Sequence, residues 1–116
     1  MQPEQKDAAL LWDIKDAAED IIEFVKGMKA HQFETNKVVR YAVERQILVI
    51  GEAAKNISDS LKEDHPEIPW NAIVGQRNII AHEYGDILFE RIWLLAVEHI
   101  PDLLKQIAPL IPVLPE

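Results

Sequence analysis

Residues 71–82 hold no acidic side chain, in a chain that carries 20 of them. Within that neutral window stand Arg77, Asn78 and His82, with Tyr84 two positions beyond. Arginine is a permanent, forked cation suited to phosphate, and histidine gives or takes a proton near neutral pH. A tyrosine hydroxyl donates, accepts, or carries a modification. Together they are what metal-independent cleavage of RNA needs: a base for the 2′-hydroxyl proton, a cation against the crowded phosphorane, and an acid for the leaving oxygen. As residue types alone, an Arg–His pair is more often a salt-bridge former beside a partly buried histidine. Geometry adds a constraint. Arg77 and His82 lie five positions apart, so on a continuous helix they point about 140° away from each other. They converge on one phosphate only if the helix ends near His82 or if a second subunit supplies one of them. The Gly85-Asp86 break allows the first, and a wide apolar arc on an earlier helix supports the second. The expectation is a composite site at a two-fold interface.

Support for such a site comes from one strip of the preceding helix, where Tyr41, Arg45, Leu48, Glu52 and Lys55 share a face. Arg45 and Lys55 are candidates for RNA phosphates and Glu52 for orienting either, with a surface Glu52–Lys55 pair as the blander reading. Other chemistries find little footing. His31, His65 and His99 have no partner spacing, and no second histidine follows His82-Glu83 four residues on, so a zinc-hydrolase reading fails and no metal site is expected. With no phosphate-cradling glycine loop, no nucleotide cofactor is expected either. Trp12, Trp70 and Trp93 read most simply as core anchors.

Helices must position these residues. Leu10, Ile14, Ala17, Ile21, Phe24 or Val25, and Met28 recur at spacings of three and four, predicting a helix from Asp7 to about Met28. Thr35 or Asn36 can cap the next, which should run from about Lys37 to Leu61. Its stripe of Val43, Ile47, Ile50, Ala54, Ile57 and Leu61 widens through Val38, Ala42, Val49 and Ala53 to nearly half the circumference. Such an arc suits either a central helix of a monomeric bundle or a subunit interface, and Gly51 within it implies a close backbone contact. Pro66 and Pro69 make a loop, with Pro69 opening a third helix that carries Trp70, Ile73 and Val74. After Gly85-Asp86 a fourth helix places Phe89, Ile92, Trp93, Ala96 and Ile100 inward; at Pro101 it either kinks or restarts. The tail from Pro109 to Glu116 reads as extended. No stretch alternates with period two, so the fold class is all-α, a four-helix up-and-down bundle.

At 116 residues the chain is one domain, residues 1–116, with its core over about 7–108. Cysteine is absent, which excludes disulfides and thiolate metal sites and fits a reducing cytoplasm. Residues 1–7 are polar, and no apolar run reaches the roughly 18 residues of a membrane span. The net charge of −8 argues against coating nucleic acid by bulk electrostatics. Only residues 36–62 are net positive, with Lys37, Arg40, Arg45, Lys55 and Lys62 against Glu44, Glu52 and Asp59.

Arg77-(four residues)-His82-x-Tyr84 resembles the R-x4-H-x-Y signature of HepT-like proteins in the HEPN superfamily. The flanks agree: Ala42-Val43-Glu44-Arg45 leading to Ile50-Gly51-Glu52-Ala53-Ala54-Lys55, the His65-Pro66-Glu67-Ile68-Pro69-Trp70 loop, and Asp86 through Trp93. The likeness covers roughly residues 7–108. It implies a four-helix homodimer acting as a metal-independent ribonuclease toxin, restrained by a minimal nucleotidyltransferase antitoxin. The resemblance assigns catalysis to Arg77 and His82, with Asn78 as the polar residue after the arginine. Tyr84 takes the place of the tyrosine that the antitoxin modifies with AMP, adding bulk and negative charge where an RNA phosphate would sit. One departure is Gly85-Asp86 directly after the tyrosine, where many relatives carry a bulky residue, so substrate preference does not carry over. The alternative is a catalytically silent HEPN module that docks a nucleotidyltransferase.

Overall fold

The computed structural model describes the backbone of residues 3–82 and 86–111, and the side chains of 5–76, 80 and 89–111. All regular structure among the described residues is helical, as the periodicity predicts. Four long rods form the bundle: α1 (Pro3–Val25), α3 (Lys37–Asn56), α5 (Trp70–His82), and a composite rod of α6 (Asp86–Leu94), a π turn (Leu95–His99) and α7 (Ile100–Ile107). Two one-and-a-half-turn helices, α2 (Ala30–Thr35) and α4 (Asp59–Asp64), sit at the corners.

Local chemistry sets the boundaries, several of which differ from the sequence expectation. The first helix begins at Pro3, not Asp7, and ends at Val25. Gly27 (φ +76°) then takes the left-handed conformation that only glycine adopts at little cost. The following α2 goes unforeseen because its run is short and mostly polar; Gln32 accepts the Lys29 N–H at 2.8 Å to close its first turn, and Phe33 is its one buried residue. Asn36 caps α3 by accepting the Val39 N–H at 3.1 Å.

The second predicted helix does not reach Leu61. It stops at Asn56, Ile57 is extended (ψ 142°), and Ser58 caps α4 by accepting the Leu61 N–H at 3.2 Å. The cause is a partner 51 positions upstream. The Asp7 carboxylate accepts the Ser58 N–H at 2.9 Å and the Ser58 hydroxyl at 2.5 Å, which a continuous helix could not offer it. Pro69 stands just before α5, its carbonyl accepting the Ile73 N–H at 3.0 Å. Pro101 falls in the first turn of α7 (Ile100–Ile107), as the restart alternative expects. The turn before it widens, and the Ile100 N–H reaches back five residues to the Leu95 carbonyl, giving room for the proline ring. The tail is not extended from Pro109: Ala108–Leu110 form a 3-10 turn, and residues 112–116 lie outside the described set.

Three sets of contacts fix the directions. Asp20 accepts from Gln46 Nε2 at 3.3 Å, and with Asp7–Ser58 this makes α1 and α3 antiparallel. The ring of Phe33 lies 6.3 Å from Phe89 and 5.2 Å from Trp93, so the last rod starts where α3 starts. It finishes where α3 finishes, since Gln106 Nε2 donates to the Glu67 carbonyl at 3.2 Å. Accordingly α5 runs back against α3, from the Glu67 end to the Phe33 end. An up-and-down bundle results, its core built from Ile14, Ile21, Val43, Ile47, Ile50, Ala54, Ile73, Leu103 and Ile107. Of the tryptophans, Trp70 is buried with its Nε1 donating to the His65 carbonyl at 3.0 Å. Trp93 and Trp12 are half-buried, and Lys15 Nζ sits 4.7 Å from the Trp12 ring centroid.

Candidate active site

The neutral window of the sequence becomes α5 itself. Its N-terminal half is anchored by Trp70 and Ile73, both buried, with Ile80 half-buried two turns later. Arg77 and Asn78 stand on the backbone between those anchors, and His82 is the last helical residue. Their side chains, and the whole of Tyr84, lie outside the described residues. The backbone still answers one question. The helix continues through residue 82, so within one protomer positions 77 and 82 keep the offset of about 140° set by helical geometry. Position 77 shares a face with Trp70 and Ile73, whereas position 82 ends the helix on another side.

Antiparallel packing brings this end of α5 to the N-terminal half of α3. The local groups there are Phe33, Asn36, Arg40 and Glu44. Phe33 is fully buried and seals the end beneath Phe89 and Trp93. Arg40 Nη1 donates to the Glu34 carbonyl at 2.9 Å, fastening α3 to the C-terminal end of α2. The carboxyl of half-buried Glu44 has its pKa raised by burial, with the nearby Arg40 guanidinium offsetting part of that rise.

The supporting residues fall elsewhere on α3. Arg45 is exposed on the outer face and, with Glu52, borders a shallow depression between α1 and α3 that also takes in Asp13 and Leu48. Glu52 is engaged by Asn56, whose Nδ2 donates to its carbonyl oxygen at 2.9 Å. Lys55 is exposed, and its carbonyl lies 3.5 Å from Lys62 Nζ. Arg45 is level with the motif end of α5, while Lys55 lies roughly 15 Å further along the helix. A single protomer therefore does not gather Arg45, Glu52 and Lys55 into one cluster with α5. The wide apolar arc is resolved in part by packing: Val43, Ile47, Ile50, Gly51, Ala53 and Ala54 are buried within the protomer. Val38 and Tyr41 remain 79% and 60% exposed, on the outer side of the same helix.

A cavity of about 420 Å³ lies between Ile47 and Ile50 of α3, Ile73 of α5 and Leu103 of α7. Its charged borders are Glu67, Asp102 and, when protonated, His99, a poor lining for phosphate. Glu44 is the residue that sequence reasoning passes over. It is one acid among 20, and the signal that singles it out, a carboxyl whose pKa burial raises, needs the packed structure.

Comparison with known proteins is consistent across nearly the whole chain. Residues 14–110, which enclose the motif, match the family described as Ribonuclease HepT-like. A Methanocaldococcus jannaschii protein named "Putative RNase" is 39% identical over 99 residues, 85% of this chain and 91% of its own length. A second protein of that organism with the same name is 36% identical over 109 residues, 94% of this chain and 90% of its own. A Thermococcus cleftensis protein named "Probable ribonuclease HepT" is 38% identical over 93 residues, covering 80% and 84% of the two chains. No solved structure matches the chain.

Proposed function

The chain belongs to the HepT-like ribonuclease family, and from that premise we propose a metal-independent endoribonuclease that serves as the toxin of a HEPN/nucleotidyltransferase pair in the cytoplasm. The family match over residues 14–110, with Arg77, Asn78, His82 and Tyr84 in order inside it, carries this reading. The whole chain is one HepT-like domain, and no described helix is long and apolar enough to cross a membrane.

The chemistry is a transesterification within RNA. The 2′-oxygen attacks the adjacent phosphorus and the bond to the 5′-oxygen breaks, leaving a 2′,3′-cyclic phosphate and a 5′-hydroxyl. One group takes the 2′-hydroxyl proton and another returns a proton to the 5′-oxygen. Arg77 supplies fixed positive charge to the phosphorane, Asn78 a neutral donor, and His82 a proton-transfer group. Because positions 77 and 82 diverge on one helix, a two-fold dimer completes the site, with the exposed outer face of α3 around Tyr41 and Arg45 as one candidate for the surface between protomers. Arg45 and Lys55 then meet the flanking phosphates, and Glu52 orients them. Transfer of AMP to Tyr84 by the antitoxin switches the site off by occupying it with a bulky anion.

Incubation of purified protein with RNA in excess chelator tests this directly. Cleavage that gives cyclic phosphate ends, and that Arg77→Ala and His82→Ala each abolish without loss of fold, is the expected result. Loss of growth arrest in the same two variants should follow. An intact dimer that cuts no RNA would leave the second reading, a silent docking module for a nucleotidyltransferase, which the net charge of −8 favours.

A further inference from the structure

We propose that the cavity between α3, α5 and α7 is a binding site for a small organic cation with an apolar body, of the alkylammonium kind. The inference goes beyond the ribonuclease reading and does not depend on it.

A four-helix bundle closes when each rod packs on two neighbours. Three of the four seams are closed here: α1 packs on α3, α3 on α5, and α7 on α1. The fourth, between α5 and the rod of α6 and α7, has no comparable packing among the described residues. Along it lies the cavity of about 420 Å³, a size in the range that holds small molecules. Ile47, Ile50, Ile73 and Leu103 line it, and all four are buried. Such walls offer water no hydrogen bond and gain dispersion contacts from an apolar body that fits.

The mouth selects the other end of the ligand. Glu67 and Asp102 border it, and no lysine or arginine does. Glu67 shares one carboxylate oxygen with the His65 ring at 3.2 Å. Asp102 is exposed and has no hydrogen bond or ion pair among the described residues. Gln106, also at the cavity, lies four residues after Asp102 and so on the same face of α7. Its Nε2 donates to the Glu67 carbonyl at 3.2 Å, which leaves its side-chain oxygen as a further acceptor. An ammonium has three N–H donors and no acceptor, and this set of oxygens matches it. A carboxylate or phosphate meets repulsion at the same place, so the site turns RNA away.

Octylammonium, octanol and octanoate share one apolar body and differ in charge, so they serve as probes. Each is titrated into the full chain while the assigned isoleucine and valine methyl signals are followed by NMR. The methyls of Ile47, Ile50 and Ile73 should shift, with octylammonium binding roughly 10-fold more tightly than octanol and octanoate the weakest. Glu67→Gln combined with Asp102→Asn, both at exposed positions, should bring octylammonium to the affinity of octanol and leave octanol unchanged. No shift at these three methyls with any probe, as when a second copy closes the seam, would overturn the site. So would shifts confined to exposed Val38 and Val97, which mark loose coating of the surface. Equal affinity for the three probes, or a preference for octylammonium that survives in the double variant, would overturn recognition of the cation.

Discussion

The bundle is closed differently at its two ends. Where α1 starts and α3 finishes, polar groups are matched to one another. Asp7 holds both donors of Ser58, Trp70 Nε1 meets the His65 carbonyl, and Gln106 meets that of Glu67. At the opposite end, where α5 finishes and α6 begins, the seal is aromatic, with Phe33 under Phe89 and Trp93. There a half-buried carboxylate, Glu44, has no partner among the described residues. The contrast separates two tasks. Matched polar groups make the first end costly to open. The second end is held shut by apolar packing of Phe33 with Phe89 and Trp93.

Substitutions can break that division, beginning with the strongest effect. Phe33→Ala removes a fully buried ring and should cost about 3–5 kcal/mol in urea unfolding; a much smaller loss would mean that the motif end is not sealed by this residue. Arg77→Ala and His82→Ala should each lower RNA cleavage by on the order of 100–1,000-fold while leaving the urea midpoint within error. Asp7→Ala should do the reverse, with stability falling by roughly 1.5–3 kcal/mol and cleavage persisting. Gly27→Ala should cost about 1 kcal/mol through backbone strain, since φ is +76° and a β-carbon would meet nothing within 4 Å. The smallest effect is one of pH. Burial raises the Glu44 carboxyl pKa and Arg40 offsets part of that rise, so the folded state binds this proton more tightly than the unfolded chain does. Stability should then decline as pH rises from the ordinary carboxyl range through the raised value. Glu44→Gln should flatten the curve; an unaltered slope would assign the decline to another group.

How far the sequence alone reaches differs between the ends as well. Long periodic stretches such as Leu10–Val25 and Val43–Ile57 show their helices, because repeated apolar spacing is a local property. The halt of α3 at Asn56 is not local: it depends on Asp7, 51 positions from Ser58. Likewise α2 is too short for periodicity to register, and its importance lies in where Phe33 lands. The motif of Arg77, Asn78, His82 and Tyr84 can be read as chemistry because its residue types and order are distinctive. Glu44 cannot, since only its partial burial, which raises its carboxyl pKa, separates it from exposed Glu52, an equally ordinary acid two turns later.

The π turn at Leu95–His99 has a consequence for how the chain tolerates changes in length. Such a turn is a helix carrying one residue more than its rungs require. Deleting one residue there as the turn rewinds would leave the phase unchanged, whereas rewinding it to ordinary register with every residue kept would rotate everything upstream by about 100° relative to α7. Phe89 and Trp93 would leave Phe33, and the start of α6 would swing away from the end of α5. Pro101 guards against that slip, since its ring would collide with the carbonyl of Val97 in the tighter register. The phase of the motif end is thus set by a single spare residue, some three turns away from it.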